Sequence, residues 1–419
     1  MVNIIRLSNG ISVAMEEIPY VRSVSFGIWV KNGSGNETKQ TNGASHFIEH
    51  MLFKGTHERS AAEIAEEMDC LGGQINAYTT KEYTSYYTRV LDSHFDRALA
   101  VMSDMFLNSR FDGGDMERER QVILEEIMMY DDLPEELSHD RLQEGIWQGS
   151  PLSMPILGTK ESLPGLSRNV VTDYMKRRYH TENTVISVAG NFKSAEMAEK
   201  LEKSFGSFKP GLPFVKEEIK GEYKPFKVSI KKDIEQVHMC LTFPGIERNS
   251  PQKYAMSIFN ALFGGGLSSV LFQKIREEAG LTYSIYSYVT TFEHCGTFSI
   301  YAGMNNSQAP KAVSLIYKEI EAILKNGISQ KLLEKTKEQI ISGFVVGLES
   351  TSSRMTRLGG SVLLDGRIMS PEESITGLES TTTEDISLLM NRVFNFDMLS
   401  ISVVGNTKNI YLNKKPFKP

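Results

Sequence analysis

The segment His46-Phe47-Ile48-Glu49-His50 sets two imidazoles and a carboxylate within five residues. On an α-helix, residues three and four apart share a face, so His46, Glu49 and His50 stand side by side. Two neutral imidazoles at i and i+4 chelate one divalent ion, and zinc is the usual partner of such donors. Zinc brings the pKa of a water in its shell towards neutrality, and a carboxylate such as Glu49 can take the proton as that water attacks a carbonyl. A solvated helix face would also tolerate these three residues. Against that, Phe47, Ile48, Met51, Leu52 and Phe53 are apolar, so the helix is expected to be largely buried, where imidazoles and carboxylates need partners.

A catalytic zinc keeps three protein ligands and an open position. The third is sought on a helix expected over residues 115–130. There Glu126 has Val122, Ile123, Met129 and Tyr130 as its three- and four-apart neighbours, which puts it on the apolar, inward face, with Glu119 seven residues earlier on the same face. Glu125, beside Gln121, is the weaker candidate. Glu117, Arg118 and Arg120 suit an exposed salt-bridge ladder.

His-x-x-Glu-His with a glutamate 76 residues beyond His50 resembles the inverzincin pattern of the pitrilysin/insulinase family of zinc peptidases, which includes the mitochondrial processing peptidases and their bacterial relatives. The stretch from Gly43 to Thr56 is similar to the family's metal helix almost throughout, and the resemblance covers the whole chain. It implies His46, His50 and Glu126 as ligands of one zinc per chain, Glu49 as general base, and Glu119 as an acid that orients a ligand. Gly72 to Thr79 resembles the strand along which family members lay an extended substrate, which implies Asn76 and Ala77 as substrate-binding residues. Arg276 and Tyr283 resemble an arginine and a tyrosine, seven apart, that face the zinc across a chamber and donate to the substrate carbonyl and the developing oxyanion. Without the resemblance, Arg276 reads as a surface charge and Tyr283 as a half-buried strand residue. The chain departs from the pattern at Ser153, Met154 and Val270, none of which is a ligand position.

The elements that must hold these residues follow an internal repeat. Ile186 to Asn191 recurs as Ile401 to Asn406, an offset of 215; the alternating strand Ser23–Val30 recurs as Gln236–Phe243, offset 213; and the helical segment His46–Gly55 recurs as Met256–Gly265, offset 210. At that last offset His46, Glu49 and His50 become Met256, Phe259 and Asn260, so the fold itself does not need them. Asn9-Gly10 signals a two-residue hairpin, and helical periodicity runs over 61–71, 95–106, 115–130, 310–324 and 330–348. Hairpins with long helices predict an α+β class: two tandem homologous domains, each a largely antiparallel sheet packed with helices, at 1–208 and 226–419, joined by a linker over 209–225. The resemblance adds a clamshell assembly of the two.

A chain of 419 residues suits at least two cores; 40% hydrophobic and 23% charged residues exclude a disordered or collagen-like chain. A net charge of −6 gives no electrostatic reason to expect nucleic acid or an anionic membrane. Cys70, Cys240 and Cys295 are scattered without C-x-x-C spacing, which suits a reducing cytoplasm, and the N-terminal residues lack the pattern of a signal peptide. The expectation is a cytoplasmic zinc endopeptidase acting on extended or unfolded peptides in an enclosed chamber, the alternative being a non-catalytic peptide-binding subunit of a heteromeric peptidase. Relatives with one continuous chamber carry four such domains and this chain has two, so a homodimer is expected.

Overall fold

The computed structural model describes residues 2–211 and 219–406. Two compact units form, and each is discontinuous in sequence. Unit 1 comprises Met1–Ile127, Met154–Glu218 and Val345–Met369; unit 2 comprises Met128–Ser153, Ile219–Phe344 and Ser370–Pro419.

Unit 1 is built on strands β1 (Val2–Arg6), β2 (Ser12–Glu17), β3 (Ser23–Val30), β4 (Gln74–Thr79), β5 (Thr84–Leu91) and β6 (Thr184–Gly190), in the order β1-β2-β6-β3-β5-β4. Only β2 and β6 run parallel among these pairs. The Asn9-Gly10 hairpin forms as expected, with Gly10 at φ +96°, a region that disfavours other residues. Unit 2 repeats the arrangement with β7 (Lys227–Lys231), β8 (Gln236–Pro244), β9 (Ser284–Thr291), β10 (Gly296–Asn305) and β11 (Ser400–Gly405), in the order β7-β11-β8-β10-β9. Its parallel pair is β7 with β11. Dropping β1 makes the two orders identical, which is the α+β repeat expected from the sequence. The periodic segments are helices at Ala61–Cys70, Phe95–Asn108, Gly113–Asp132, Ala309–Asn326 and Gln330–Gly347.

Where the units differ from the expected continuous halves, the reason is burial on both sheet faces. In unit 1, Phe26 and Ile28 of β3 face Phe47, Ile48 and Met51 of the Ala44–Leu52 helix. The intervening Trp29, with Ala14, Val185 and Ala189, needs its own cover, and Met355, Leu358 and Leu363 of the Thr351–Asp365 helix provide it. In unit 2 the corresponding second face, around Cys240, is covered by Leu142 and Ile146 of the Pro134–Ile146 helix. Each sheet therefore takes one helix from the opposite half of the sequence. Of the expected linker, residues 212–218 lie outside the described residues. Ile219 and Tyr223 pack into unit 2, where the Tyr223 hydroxyl donates to Thr242 O at 2.8 Å.

The Thr351–Asp365 helix comes close to its sheet because Gly359 places no side chain against Trp29. A Cβ on Gly359 would stand 2.1 Å from Trp29 Nε1, while Gly360 next to it faces open space. Gly359→Ala is expected to destabilise the fold by about 1–3 kcal/mol of overpacking despite its better helix propensity, read as a lower urea-unfolding midpoint. Gly360→Ala, gaining propensity without a collision, is expected to leave the midpoint unchanged or raise it.

Candidate metal centre

The Ala44–Leu52 helix begins inside the protein, with Ala44, Ser45 and His46 all buried. Its first N–H groups have no partner within the helix and cannot reach water. Glu37 meets them. Its carboxylate accepts from Gly43 N at 2.7 Å, Ser45 N at 2.8 Å and the Asn42 amide at 3.0 Å. Burial pushes that carboxyl up to about 7, against the downward pull of the donors. Gly43 sits at φ +92°, and a Cβ there would lie 3.0 Å from Gly158 Cα, so only glycine fits. Beneath the same turn, Asn32 donates to Ser45 Oγ at 3.2 Å, and Tyr174 donates to Asn32 Oδ1 at 3.0 Å.

Pinned there, the helix presents His46 and His50 with ring centroids 4.6 Å apart. Glu126 arrives from the Gly113–Asp132 helix, its Oε2 lying 3.7 Å from His46 Nε2 and 3.7 Å from His50 Nε2. One donor atom from each of the three lies within 4.8 Å of the others. A tetrahedral ion bound by nitrogen and oxygen at about 2.0–2.2 Å sets its ligands about 3.4 Å apart, so the cluster fits a divalent metal. Burial, and secondarily the neighbouring His50, pushes His46 down to about 3. It is therefore neutral, the ligating form, and its Nδ1 is buried with no hydrogen-bond partner among the described residues.

His50 is oriented from behind. Its Nδ1 lies 3.0 Å from Glu119 Oε2, and Lys54 Nζ lies 2.8 Å from Glu119 Oε1. Donation from Nδ1 to the buried Glu119 leaves the Nε2 lone pair for the centre. Glu49 completes the group: Thr79 Oγ1 donates to its Oε2 at 2.5 Å. Burial raises the Glu49 carboxyl, and the Glu126 charge adds a smaller push, while Thr79 and His50 pull the other way. The arrangement offers a metal-binding triad with a carboxylate base beside it.

The structure brings His46, Glu49, His50, Glu119 and Glu126 together. Met116, Glu119, Ile123 and Glu126 form the inward stripe of their helix, while Glu125 is exposed. Val122 and Met129, expected on the inward face beside Glu126, are instead exposed at 49% and 53%, and only Ile123 among those apolar neighbours is fully buried. Asn76 and Ala77 lie on β4, the edge strand of unit 1, which pairs only with β5 among the described strands. Arg276 and Tyr283 lie together in unit 2, the guanidinium 4.7 Å from the Phe272 ring and 5.9 Å from the Tyr283 ring. Tyr283 is 76% exposed and precedes β9, rather than being a half-buried strand residue. Three contacts escaped the sequence reading: Glu37, Lys54 and Thr79. Lys54 carried a signal, since it lies four residues after His50, just past the helix end at Leu52; Glu37 and Thr79 act across loops and strands and carried none.

Comparison with known proteins gives the context. The family profile described as "Insulinase (Peptidase family M16)" matches residues 12–160, and that of "Peptidase M16 inactive domain" matches residues 165–340. The chain is 40% identical to an uncharacterized zinc protease of Bacillus subtilis, over 95% of this chain and 97% of that protein. It is 34% identical to an uncharacterized zinc protease of Streptomyces coelicolor, over 96% and 89% of the two chains. The crystal structure of a protease from Helicobacter pylori shares the fold with a TM-score of 0.91 at 20% identity, over 96% of this chain and 99% of that one.

The contacts behind His50 predict a graded effect on metal affinity. Glu119→Gln, which removes the charge facing both His50 and Lys54, is expected to weaken binding of a divalent ion about 10–100-fold, read by competition with a chromogenic chelator. Lys54→Met should weaken it by a smaller factor; wild-type affinity in that variant would end the chain of influence at Glu119.

Proposed function

Because this chain belongs to the insulinase family of peptidases, family M16, and is a metallopeptidase, we propose that it is a zinc-dependent endopeptidase cleaving extended or unfolded peptides in an enclosed chamber. The observation that carries the reading is the convergence of His46 Nε2, His50 Nε2 and Glu126 Oε2, with Glu49 alongside. His46, His50 and Glu126 hold one zinc per chain, and Glu119 fixes the ring of His50. When bound, zinc acidifies water and polarises a peptide carbonyl. Glu49 accepts the proton of the attacking water and passes it to the leaving amine. Its burial favours the protonated form once the proton has moved.

Substrate binding in this reading uses the open edge of β4. A peptide laid there as an added strand is held by backbone pairing in one register whatever its side chains, with Asn76 and Ala77 at the contact. Arg276 and Tyr283 supply donors to the substrate carbonyl; their exposure supports a role towards a ligand rather than in a core. The three cysteines are unpaired, in keeping with work in a reducing cytoplasm. Among the described residues no helix is long and apolar enough to cross a membrane.

The mechanism is tested on purified protein with a quenched-fluorescent peptide library. Glu49→Gln is expected to keep about one zinc per chain and lose turnover by roughly 10²-fold or more. Glu126→Ala should lose the metal, while Glu125→Ala, altering an exposed side chain, should keep it. Peptide binding by wild-type protein without any turnover would favour the non-catalytic subunit instead.

The same reading holds that the working unit is a homodimer with sites shared between chains. Mixing a Glu49→Gln chain with a Tyr283→Phe chain, each nearly inactive, is expected to restore part of the activity, because one site of the mixed dimer has both functional halves. Exchange of subunits with no return of activity, or an active monomer, would refute sharing.

A further inference from the structure

Thr79 is the last residue of β4, the open edge of unit 1's sheet, and its hydroxyl reaches Glu49 Oε2 at 2.5 Å. No other hydrogen bond holds the Glu49 side chain among the described residues. The direction of this one follows from counting protons. A threonine hydroxyl has one to give. Thr84 Oγ1 stands 3.3 Å from Thr79 Oγ1 across the β4–β5 pair and donates its own proton to Asn32 O at 2.9 Å. Thr79 is thereby left to donate to the carboxylate, where a charged acceptor makes the stronger bond.

We propose that Thr79 is the positioning residue of the general base: it occupies Oε2 of Glu49 and leaves Oε1 as the oxygen that takes the proton from water. The inference rests on the endopeptidase reading above and deepens it. A carboxylate on a flexible ethylene stem would otherwise sample several orientations, and a base must lie within hydrogen-bond reach of its proton in a defined direction. Because Thr79 ends the strand that carries Asn76 and Ala77, the peptide-pairing edge and the base orientation share one rigid element. Substrate register and the reactive oxygen are then set by the same backbone.

The test compares Thr79→Val, Thr79→Ala and Thr79→Ser with wild type and Glu49→Gln, all checked for zinc content. Losing a hydrogen bond to a charged group is expected to reduce kcat roughly 10–100-fold, with KM and zinc content unchanged, in both Thr79→Val and Thr79→Ala. Thr79→Ser keeps the donor and should recover kcat to within a few-fold of wild type. A second readout needs no turnover: in metal-free protein, Thr79→Ala should lower the thermal midpoint when Glu49 is present and leave it unchanged in a Glu49→Ala background. Wild-type kcat in Thr79→Ala and Thr79→Val, or an equal loss in Thr79→Ser, overturns the inference. Should Glu49→Gln itself turn over normally, it is the endopeptidase mechanism that fails, and the midpoint comparison still reports whether Thr79 and Glu49 are coupled.

Discussion

A helix that carries two imidazoles and a carboxylate into an apolar core must also begin there, and that requirement governs the site. Its first N–H groups face protein, so the dipole's positive end needs an internal acceptor. Glu37 supplies it by joining Gly43, Ser45 and Asn42 at one carboxylate. The cost is visible in the same residue: burial pushes its carboxyl up to about 7, so the charged form is disfavoured there relative to an exposed glutamate. The group nevertheless has three donors aimed at it, and Asn32, Ser45 and Tyr174 satisfy one another just below. With this terminus fixed, His46 in the same turn and Glu49 and His50 one turn further on are fixed too.

Unit 2 shows what the same helix does without that burden. At the equivalent place Met256 and Phe259 are buried, and Phe259 stacks on Phe263 at 5.3 Å between ring centroids and lies 5.2 Å from Phe298. Asn260, at the position of His50, is occupied by a bond from Ser287 Oγ at 2.9 Å. An apolar filling is the cheaper solution for a helix against a sheet, since it needs no partners. Unit 1 keeps polar groups there, holding His50 through Glu119 and Lys54 and Glu49 through Thr79 while His46 Nδ1 has no hydrogen-bond partner among the described residues. Retaining an unprofitable core in one unit and discarding it in the other points to chemistry as the reason.

Much of this was legible in the sequence because it is periodic. The i, i+4 spacing of His46 and His50 and the inward stripe that contains Glu119 and Glu126 are properties of single helices, and the strand repeat gave the sheet order its symmetry. Residues acting between distant segments were not legible. Glu37 reaches its helix across a loop, and Thr79 reaches Glu49 only because β4 ends beside it. Even the choice of Glu126 over Glu125 leaned on neighbours of which Val122 and Met129 are exposed; Ile123 and the seven-residue interval to Glu119 carry the distinction.

The least legible feature was the crossing of helices between halves, and it changes what a domain means in this chain. The Thr351–Asp365 helix falls outside the periodic segments of the sequence, and nothing in its residues says which sheet it will cover. The decisive signals are contacts: Ser25 Oγ lies 2.9 Å from Thr351 Oγ1, and Gly359 leaves room for Trp29. A chain cut at the repeat boundary would lack this helix and leave Trp29, Val185 and Ala189 without their cover. The second half would likewise lack Leu142 and Ile146 over Cys240. Each unit therefore completes its core only with residues from the opposite half, Met355 standing 166 positions after Ala189 and Ile146 standing 94 positions before Cys240. Such long-range closure is entropically expensive and slows folding. It also makes the two halves stand or fall together, so the candidate metal site of unit 1 depends for its supporting sheet on residues near the other end of the protein.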